Sequence, residues 1–277
     1  MPLTPTAEVV AAESAAGAAT GAFNVIQLEH AQAIVAGAEQ AGRPVILQIS
    51  ENCVRYHGGL EPICAATLAV ARAATVPVAV HADHVTSEEL AREAVKLGVG
   101  SVMFDASALP YEENVATTAE ITRWCHERGV WVEAELGEVG GKDGVHAPGV
   151  RTDPAEAAEF VSATGVDALA VAVGSSHAMT TRDAKLDFDL ITRLHEAVPV
   201  PLVLHGSSGV PDADLTRAVR AGMRKINIAT HLNAVFTDIV RSRLAENPKL
   251  VDTRKYLGPA RDAVAAEVAR LLGVLSG

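Results

Sequence analysis

Short runs rich in apolar and β-branched residues recur along the chain, separated by longer stretches whose apolar positions repeat at helical spacing. The short runs are Ala22–Ile26, Val45–Ile49, Val78–His81, Ser101–Asp105, Trp131–Glu135, Ala168–Val173, Leu202–His205 and Lys225–Ile228. Helical stretches between them include Ser87–Leu97, Ala116–Arg128, Pro154–Thr164, Leu186–Glu196 and Asp212–Ala221. Start signals are present: Ser87 precedes Glu88 and Glu89, and Asp153 precedes Pro154, which takes the first helical position. Gly42, Gly98, Gly129, Gly165 and Gly222 each stand just past a helical stretch, where a left-handed residue ends the helix. Eight strands alternating with helices predict an α/β fold, a closed (β/α)8 TIM barrel in a single domain over residues 1–277. A doubly wound open sheet is the rival, but no dinucleotide-type glycine loop follows the first strand. From about residue 247 the chain reads as a C-terminal extension ending in a helix, Ala260–Leu272.

Length agrees with this reading, since 277 residues compares with about 250 for one such barrel. No apolar, charge-free run reaches the length of a membrane span, and no basic segment followed by an apolar one opens the chain, so neither a membrane nor a secretory route is expected. Cys53, Cys64 and Cys125 are odd in number and lack metal-ligand spacing. That fits a reducing cytoplasm better than a disulfide framework. The net charge of −11 argues against nucleic acid as a partner, while leaving room for a local anion site.

The chemistry collects at the carboxyl ends of the predicted strands, the end where barrels build active sites. Strand 1 ends in Asn24 and strand 2 in Ser50. Strand 3 ends His81-Ala82-Asp83-His84, strand 4 in Asp105, and strand 5 in Glu133 and Glu135. Strand 6 runs into Gly174-Ser175-Ser176-His177, strand 7 into His205-Gly206-Ser207-Ser208, and strand 8 into Asn227-Ile228-Ala229-Thr230. Any one of these could be a satisfied core or loop group. Several strand-end histidines beside carboxylates, converging on one axis, make that bland reading much weaker. Three imidazoles and an open position form a catalytic zinc set, for which His84, His177 and His205 are the natural choice. Asp83 fits either a general acid–base or a carboxylate orienting a ligand imidazole. His81 fits a packed or supporting role better than a fourth ligand. The segments after strands 7 and 8 stand where barrels often bind phosphate through backbone N–H groups and hydroxyls.

Taken in order, these segments resemble class II, metal-dependent fructose-bisphosphate and tagatose-bisphosphate aldolases over nearly the whole chain. The runs that carry the resemblance are Gly21-Ala22-Phe23-Asn24-Val25, Pro44 through Ser50, His81-Ala82-Asp83-His84, Ser101 through Ser107, Glu135-Leu136-Gly137, Leu204-His205-Gly206-Ser207-Ser208 and Lys225 through Thr230. The resemblance implies Zn2+ or another divalent metal on His84, His177 and His205, with Asp105 and Glu135 matching carboxylates that can hold it in an outer position. It implies proton exchange by Asp83 with the hydroxyl that becomes the aldehyde oxygen, and an enediolate of dihydroxyacetone phosphate held by Asn227. Ser50, Gly206, Ser208 and Thr230 would surround the ketose-end phosphate, with Asn24, Ala178 and Ala229 at the same substrate site. A monovalent cation, Na+ or K+, would sit by the phosphate on backbone oxygens near His177 and Gly206. The partners implied are a phosphorylated sugar and further copies of the chain, as a dimer or tetramer. The implied reaction is the reversible cleavage of a ketose 1,6-bisphosphate, fructose 1,6-bisphosphate foremost, to dihydroxyacetone phosphate and an aldehyde such as glyceraldehyde 3-phosphate.

Three departures bear on that assignment. The family's loop glutamate, which moves the proton at the enediolate carbon, meets Gly140-Gly141-Lys142-Asp143-Gly144 here. Ungapped counting puts Asp143 at its position, anchoring on Asp143-Gly144-Val145 leaves that position deleted or filled by Lys142, and Glu138 and His146 are further candidates. Ala178 stands where the family usually has glycine. The late basic residue that reaches a second phosphate in many members is Gly258 here, with Arg261 three residues on. Two alternatives follow: the same chemistry on another ketose 1-phosphate (a tagatose, deoxy-keto-sugar or sulfo-sugar derivative), and a non-catalytic barrel that binds a sugar phosphate.

Overall fold

A computed structural model describes residues 2–136 and 151–277. Eight parallel strands close into a barrel in chain order: β1 Thr20–Asn24, β2 Val45–Ser50, β3 Val78–Val85, β4 Ser101–Phe104, β5 Trp131–Leu136, β6 Ala168–Val171, β7 Leu202–Leu204 and β8 Met223–Ile228. The seam is sealed by β1 against β8, with Thr20 opposite Lys225 and Phe23 opposite Ile228. The expected first strand lies two residues late. The chain leaves the sheet after Asn24, although Val25 N still donates to Gln48 O at 2.8 Å.

Period-2 alternation sorts the side chains of each strand. Phe23, Leu47, Val80, Val102, Phe104, Val132, Leu169, Leu204 and Ile226 join the continuous core shared with the surrounding helices. Their strand neighbours face the barrel axis. At its amino end Ala22, Ile46 and Ala79 pack against Val9 and Val10. These two valines belong to α1, Thr6–Ala15, which plugs that end of the barrel. Higher along the axis the inward residues become polar: Gln48, His81, Asp83, Ser101, Glu133, Glu135, His205, Lys225 and Asn227, all buried. Barrel interiors are usually filled by branched apolar side chains, so this column of polar groups marks the end that carries chemistry.

The helices used here follow their local signals. In α5, Glu88–Lys96, the Ser87 side chain accepts from Leu90 N at 3.2 Å. In α7, Pro154–Thr164, the Asp153 side chain accepts from Ala155 N and Glu156 N. Gly42, Gly98, Gly129, Gly165 and Gly222 all have positive φ. The C-terminal helix departs from expectation by starting earlier and carrying Pro259 inside it, over Arg254–Val274. Its stripe of Val264, Val268 and Leu272 is buried against α2, Leu28–Ala41. The two helices meet at Gly37, where a Cβ would lie 2.5 Å from Ala265 O. Burying each of those apolar side chains contributes roughly 1.5–3 kcal/mol, which together exceeds the cost of about 3 kcal/mol for an interior proline. No described helix is long and apolar enough to cross a membrane.

Candidate active site

The polar column opens at the carboxyl end of the barrel into a cavity of about 430 Å3. Asn24, Ser50, Asp83, His84, His177, Ala178, Gly206, Ser208, Asn227, Ala229 and Thr230 line it, as do Gln48, Glu51, Arg55 and Asn233. Eleven positions singled out in the sequence therefore converge on one space, contributed by the ends of six strands. Asp143, Glu138 and His146 lie outside the described residues.

His84, His177 and His205 stand with ring centroids 4.8–5.6 Å apart. With Glu135 they offer four ligand atoms, all within 4.8 Å of one another. Carboxylates behind two of the rings decide which nitrogen faces inward. His84 Nδ1 lies 2.8 Å from Asp105 Oδ2, which leaves Nε2 for the group. His205 Nε2 lies 2.9 Å from Glu133 Oε1, which leaves Nδ1. An imidazole whose far N–H is held by a carboxylate is the usual support of a metal ligand. His205 Nδ1 lies 3.3 Å from Glu135 Oε2, and both groups are buried. Burial alone would depress His205; its hydrogen bonds to Glu133 and Glu135 and the charges of both glutamates overcome that and push it up to about 9. Without metal the His205 proton bridges Nδ1 and Glu135; in its place a divalent metal fits the donor set of three imidazoles and a carboxylate. Asp105 stands outside the four ligand atoms and orients His84, a role the sequence reading had left open for Asp83.

Asp83 is differently held. Its Oδ2 accepts from Asn24 Nδ2 at 3.2 Å, and Asn24 Oδ1 in turn accepts from Gln48 Nε2 at 2.8 Å. Oδ1 is buried without a hydrogen-bond partner in the wall of the cavity. Burial raises the Asp83 carboxyl, but the neighbouring His84, His205 and Lys225 outweigh it and hold it below the ordinary carboxylate range. Asp83 is thus an ionised acceptor with one free oxygen. His81 is a packed support: Nδ1 meets Ser101 Oγ at 2.8 Å, and burial lowers the ring to about 3.

The other wall is built on backbone. Ser208 Oγ accepts from Ala229 N and His231 N, both at 3.2 Å, tying the turn after β7 to the start of α10, Thr230–Glu246. Gly206 has φ 66°, and a Cβ there would lie 2.5 Å from the Ser176 carbonyl. Only glycine lets the turns after β6 and β7 approach so closely. His84 and Ala178 are the non-glycine residues of positive φ among those described, at 51° and 58°. Both lie at the cavity, where such strain tends to be kept. For Ala178 the left-handed conformation costs about 1–2 kcal/mol, against about 0.4–1 kcal/mol gained from a stiffer unfolded chain than glycine allows. Ala178→Gly is therefore expected to raise stability by up to about 1.5 kcal/mol, read as a higher denaturant midpoint at unchanged slope. A lower midpoint would contradict the strain argument.

Two features escaped the sequence reading. Glu133 and Lys225 are fully buried and form an ion pair across the barrel at 2.8 Å. Arg55 is the one Lys or Arg among the described residues lining the cavity, on α3, Glu51–His57. Gly258 and Arg261, the positions the sequence offers for a second phosphate, lie on the C-terminal helix outside the cavity lining, and Arg261 pairs with Asp262.

A closed (β/α)8 barrel with three imidazoles and a carboxylate gathered at its carboxyl end is the build of a metal-assisted barrel enzyme. The chain belongs to the class II fructose-bisphosphate aldolase family, whose description "Fructose-bisphosphate aldolase class-II" it matches over residues 4–276. It is 44% identical over 254 residues to the fructose-bisphosphate aldolase of Geobacillus stearothermophilus, covering 90% of this chain and 88% of the relative. It is 42% identical over 272 residues to that of Staphylococcus aureus strain Mu50, covering 97% and 95%. Among solved structures, the YdjI aldolase of Escherichia coli K12 superposes with a TM-score of 0.85 at 34% identity, covering 99% of this chain and 97% of that one. The chain is thus a class II aldolase, a carbon–carbon lyase of a metal-dependent family.

Proposed function

We propose that the protein cleaves fructose 1,6-bisphosphate reversibly to dihydroxyacetone phosphate and glyceraldehyde 3-phosphate, with zinc as its metal. The observation that carries the reading is the gathering of three imidazoles and Glu135 at one point, two of those imidazoles lining the same cavity as Asp83, Asn227, Ser208 and Thr230. His84, His177 and His205 would hold the metal, with Glu135 as an outer position. When bound there, the ion supplies Lewis-acid polarisation of the ketose carbonyl.

The remaining steps belong to the chain. In cleavage the free Oδ1 of Asp83 takes the proton of the C4 hydroxyl. The C4–O electrons become the aldehyde double bond, the C3–C4 bond breaks, and its pair passes into the three-carbon enediolate. The Asn227 amide, in the cavity wall with its Oδ1 held by Lys225, donates through Nδ2 to the developing oxyanion. The phosphate at C1 lies at the positive end of α10, against the hydroxyls of Thr230 and of Ser208, the latter fixed by Ala229 N and His231 N. Gly206, Ala178, Ala229, Ser50 and Asn24 complete that surround, with Na+ or K+ beside it. Asp143 is proposed to protonate the enediolate carbon on the sequence position alone. A homo-oligomer, from the family resemblance, a cytoplasmic location, from the three cysteines, and a single catalytic domain over residues 1–277, from the strand–helix pattern, belong to the same proposal.

Arg55 is proposed to meet the second phosphate, because no other described Lys or Arg lines the cavity. A panel of ketose phosphates read by release of dihydroxyacetone phosphate tests both statements. Wild type should prefer fructose 1,6-bisphosphate to tagatose 1,6-bisphosphate and to fructose 1-phosphate. Arg55→Ala should raise KM for the bisphosphate about tenfold, the equivalent of one charge-assisted contact, and leave the monophosphate unchanged. A wild type that prefers a ketose 1-phosphate would replace the substrate. Parallel losses on both substrates would remove Arg55 from the second phosphate.

A further inference from the structure

One buried amine joins the two halves of the site. Lys225 Nζ lies 2.8 Å from Glu133 Oε2, and it donates to Asn227 Oδ1 at 2.8 Å. Glu133 Oε1 lies 2.9 Å from His205 Nε2. Lys225, Glu133 and His205 are fully buried, and Asn227 is 7% exposed, at the cavity. A charged pair in the centre of a barrel carries a desolvation cost that apolar side chains of similar volume would avoid. Its retention calls for a use beyond filling space.

The use follows from the donor inventory. An amide side chain can present either its oxygen or its NH2 to the cavity, and the two ends have nearly the same shape. A lysine amine has donors only. Next to Lys225 the amide of Asn227 is therefore stable in one orientation, with Oδ1 toward the lysine and Nδ2 toward the cavity. The same nitrogen pairs with Glu133, whose other oxygen accepts from His205 Nε2–H. That bond sets the tautomer of His205 and turns the Nδ1 lone pair toward His84, His177 and Glu135. We infer that Lys225 is a positioning residue that sets the polarity of the site on both sides at once, pointing a donor of Asn227 at the substrate oxyanion and, through Glu133, the Nδ1 acceptor of His205 at the metal.

This inference rests on the roles proposed above for His205 and Asn227, so those residues serve as internal controls. The experiment compares Lys225→Met, Asn227→Ala, their combination, and His205→Ala, measuring kcat and KM on fructose 1,6-bisphosphate and zinc affinity by competition with a chelator. Removing the lysine alone leaves a buried glutamate without its cation, which can prevent folding. The pair Lys225→Met with Glu133→Gln removes both charges and still leaves an oxygen for His205 Nε2–H. In Lys225→Met, kcat should fall about 10–100-fold and zinc affinity by a similar factor, as for other groups that orient ligands. In the double replacement zinc affinity should largely return, while kcat stays low with KM changed less than about twofold, because Asn227 is then free to flip. Adding Lys225→Met/Glu133→Gln to Asn227→Ala should cost less than about threefold further in kcat, since the two act through one contact. Multiplicative losses in that cycle, or a fall in thermal stability with kcat and zinc affinity intact, would reduce Lys225 to a structural ion pair and overturn the inference. Full activity in Asn227→Ala or His205→Ala would instead overturn the reading on which it stands.

Discussion

Alanine at His84, His177 or His205 is expected to remove bound zinc and to lower kcat by at least about 10³-fold, the equivalent of the several kcal/mol of charge stabilisation a catalytic metal contributes. The three rings come from β3 and from the turns after β6 and β7, and with Glu135 they are the candidate ligands at the shared point among the described residues. Metal content by elemental analysis and turnover should fall together, and chelation of the wild type should give the same loss, reversed by added zinc. The binding should also compete with protons. In the metal-free protein the proton on His205 is released only near pH 9, so zinc must displace it at neutral pH. Apparent zinc affinity is expected to rise about tenfold per pH unit up to that value and then level off. The stability of the metal-free protein runs the other way. A histidine raised above its unfolded value contributes fully below about pH 6.5, and that contribution is lost as pH rises through about 9. A chelated, metal-free sample with full turnover would end the metal assignment.

Asp83→Ala is expected to keep zinc and to lose about 10²–10⁴-fold in kcat, the usual contribution of a positioned acid–base group. The geometry favours this over a ligand-orienting role. The carboxylates that hold ligand rings are Asp105 and Glu133, whereas Asp83 accepts from the Asn24 amide. Its second oxygen is buried with no hydrogen bond, a costly arrangement for a carboxylate unless substrate completes it. Asp83→Asn keeps the shape and the contact to Asn24 but cannot take a proton, so it should lose nearly as much as Asp83→Ala. Loss of zinc in step with activity would return Asp83 to the support of a ligand, and an active Asp83→Asn would exclude it as the base.

Much of the fold was legible because its causes are local. The side-chain period of a strand is two residues, so the outward apolar rows of β2, β3 and β8 could be seen in the letters themselves. Caps such as Ser87 and Asp153 and left-handed glycines such as Gly165 act within three residues. The misplacements arose where distant partners decide. The start of β1 is set by pairing with β8, about two hundred residues on. The helix through Pro259 persists because α2 covers its apolar stripe. The plug α1 has no marked apolar stripe, and two adjacent valines became a barrel floor only once Ala22, Ile46 and Ala79 were brought to them.

For the site the division is similar. Sequence by itself determined that histidines, carboxylates and a Gly-Ser turn stand at strand ends, and closing the barrel brings strand ends together whatever the loops do. Tertiary structure decided how each is wired. It gave Asp105 to His84, Glu133 to His205 and Lys225 to both Glu133 and Asn227, and it turned Arg55 of a short helix into the described cation of the cavity wall. These contacts join residues 21 to 92 positions apart, apart from the one within β8. Which of two adjacent strand-end glutamates meets which ring nitrogen depends on barrel curvature and on hydrogen-bond direction, and neither is a property of a stretch of sequence.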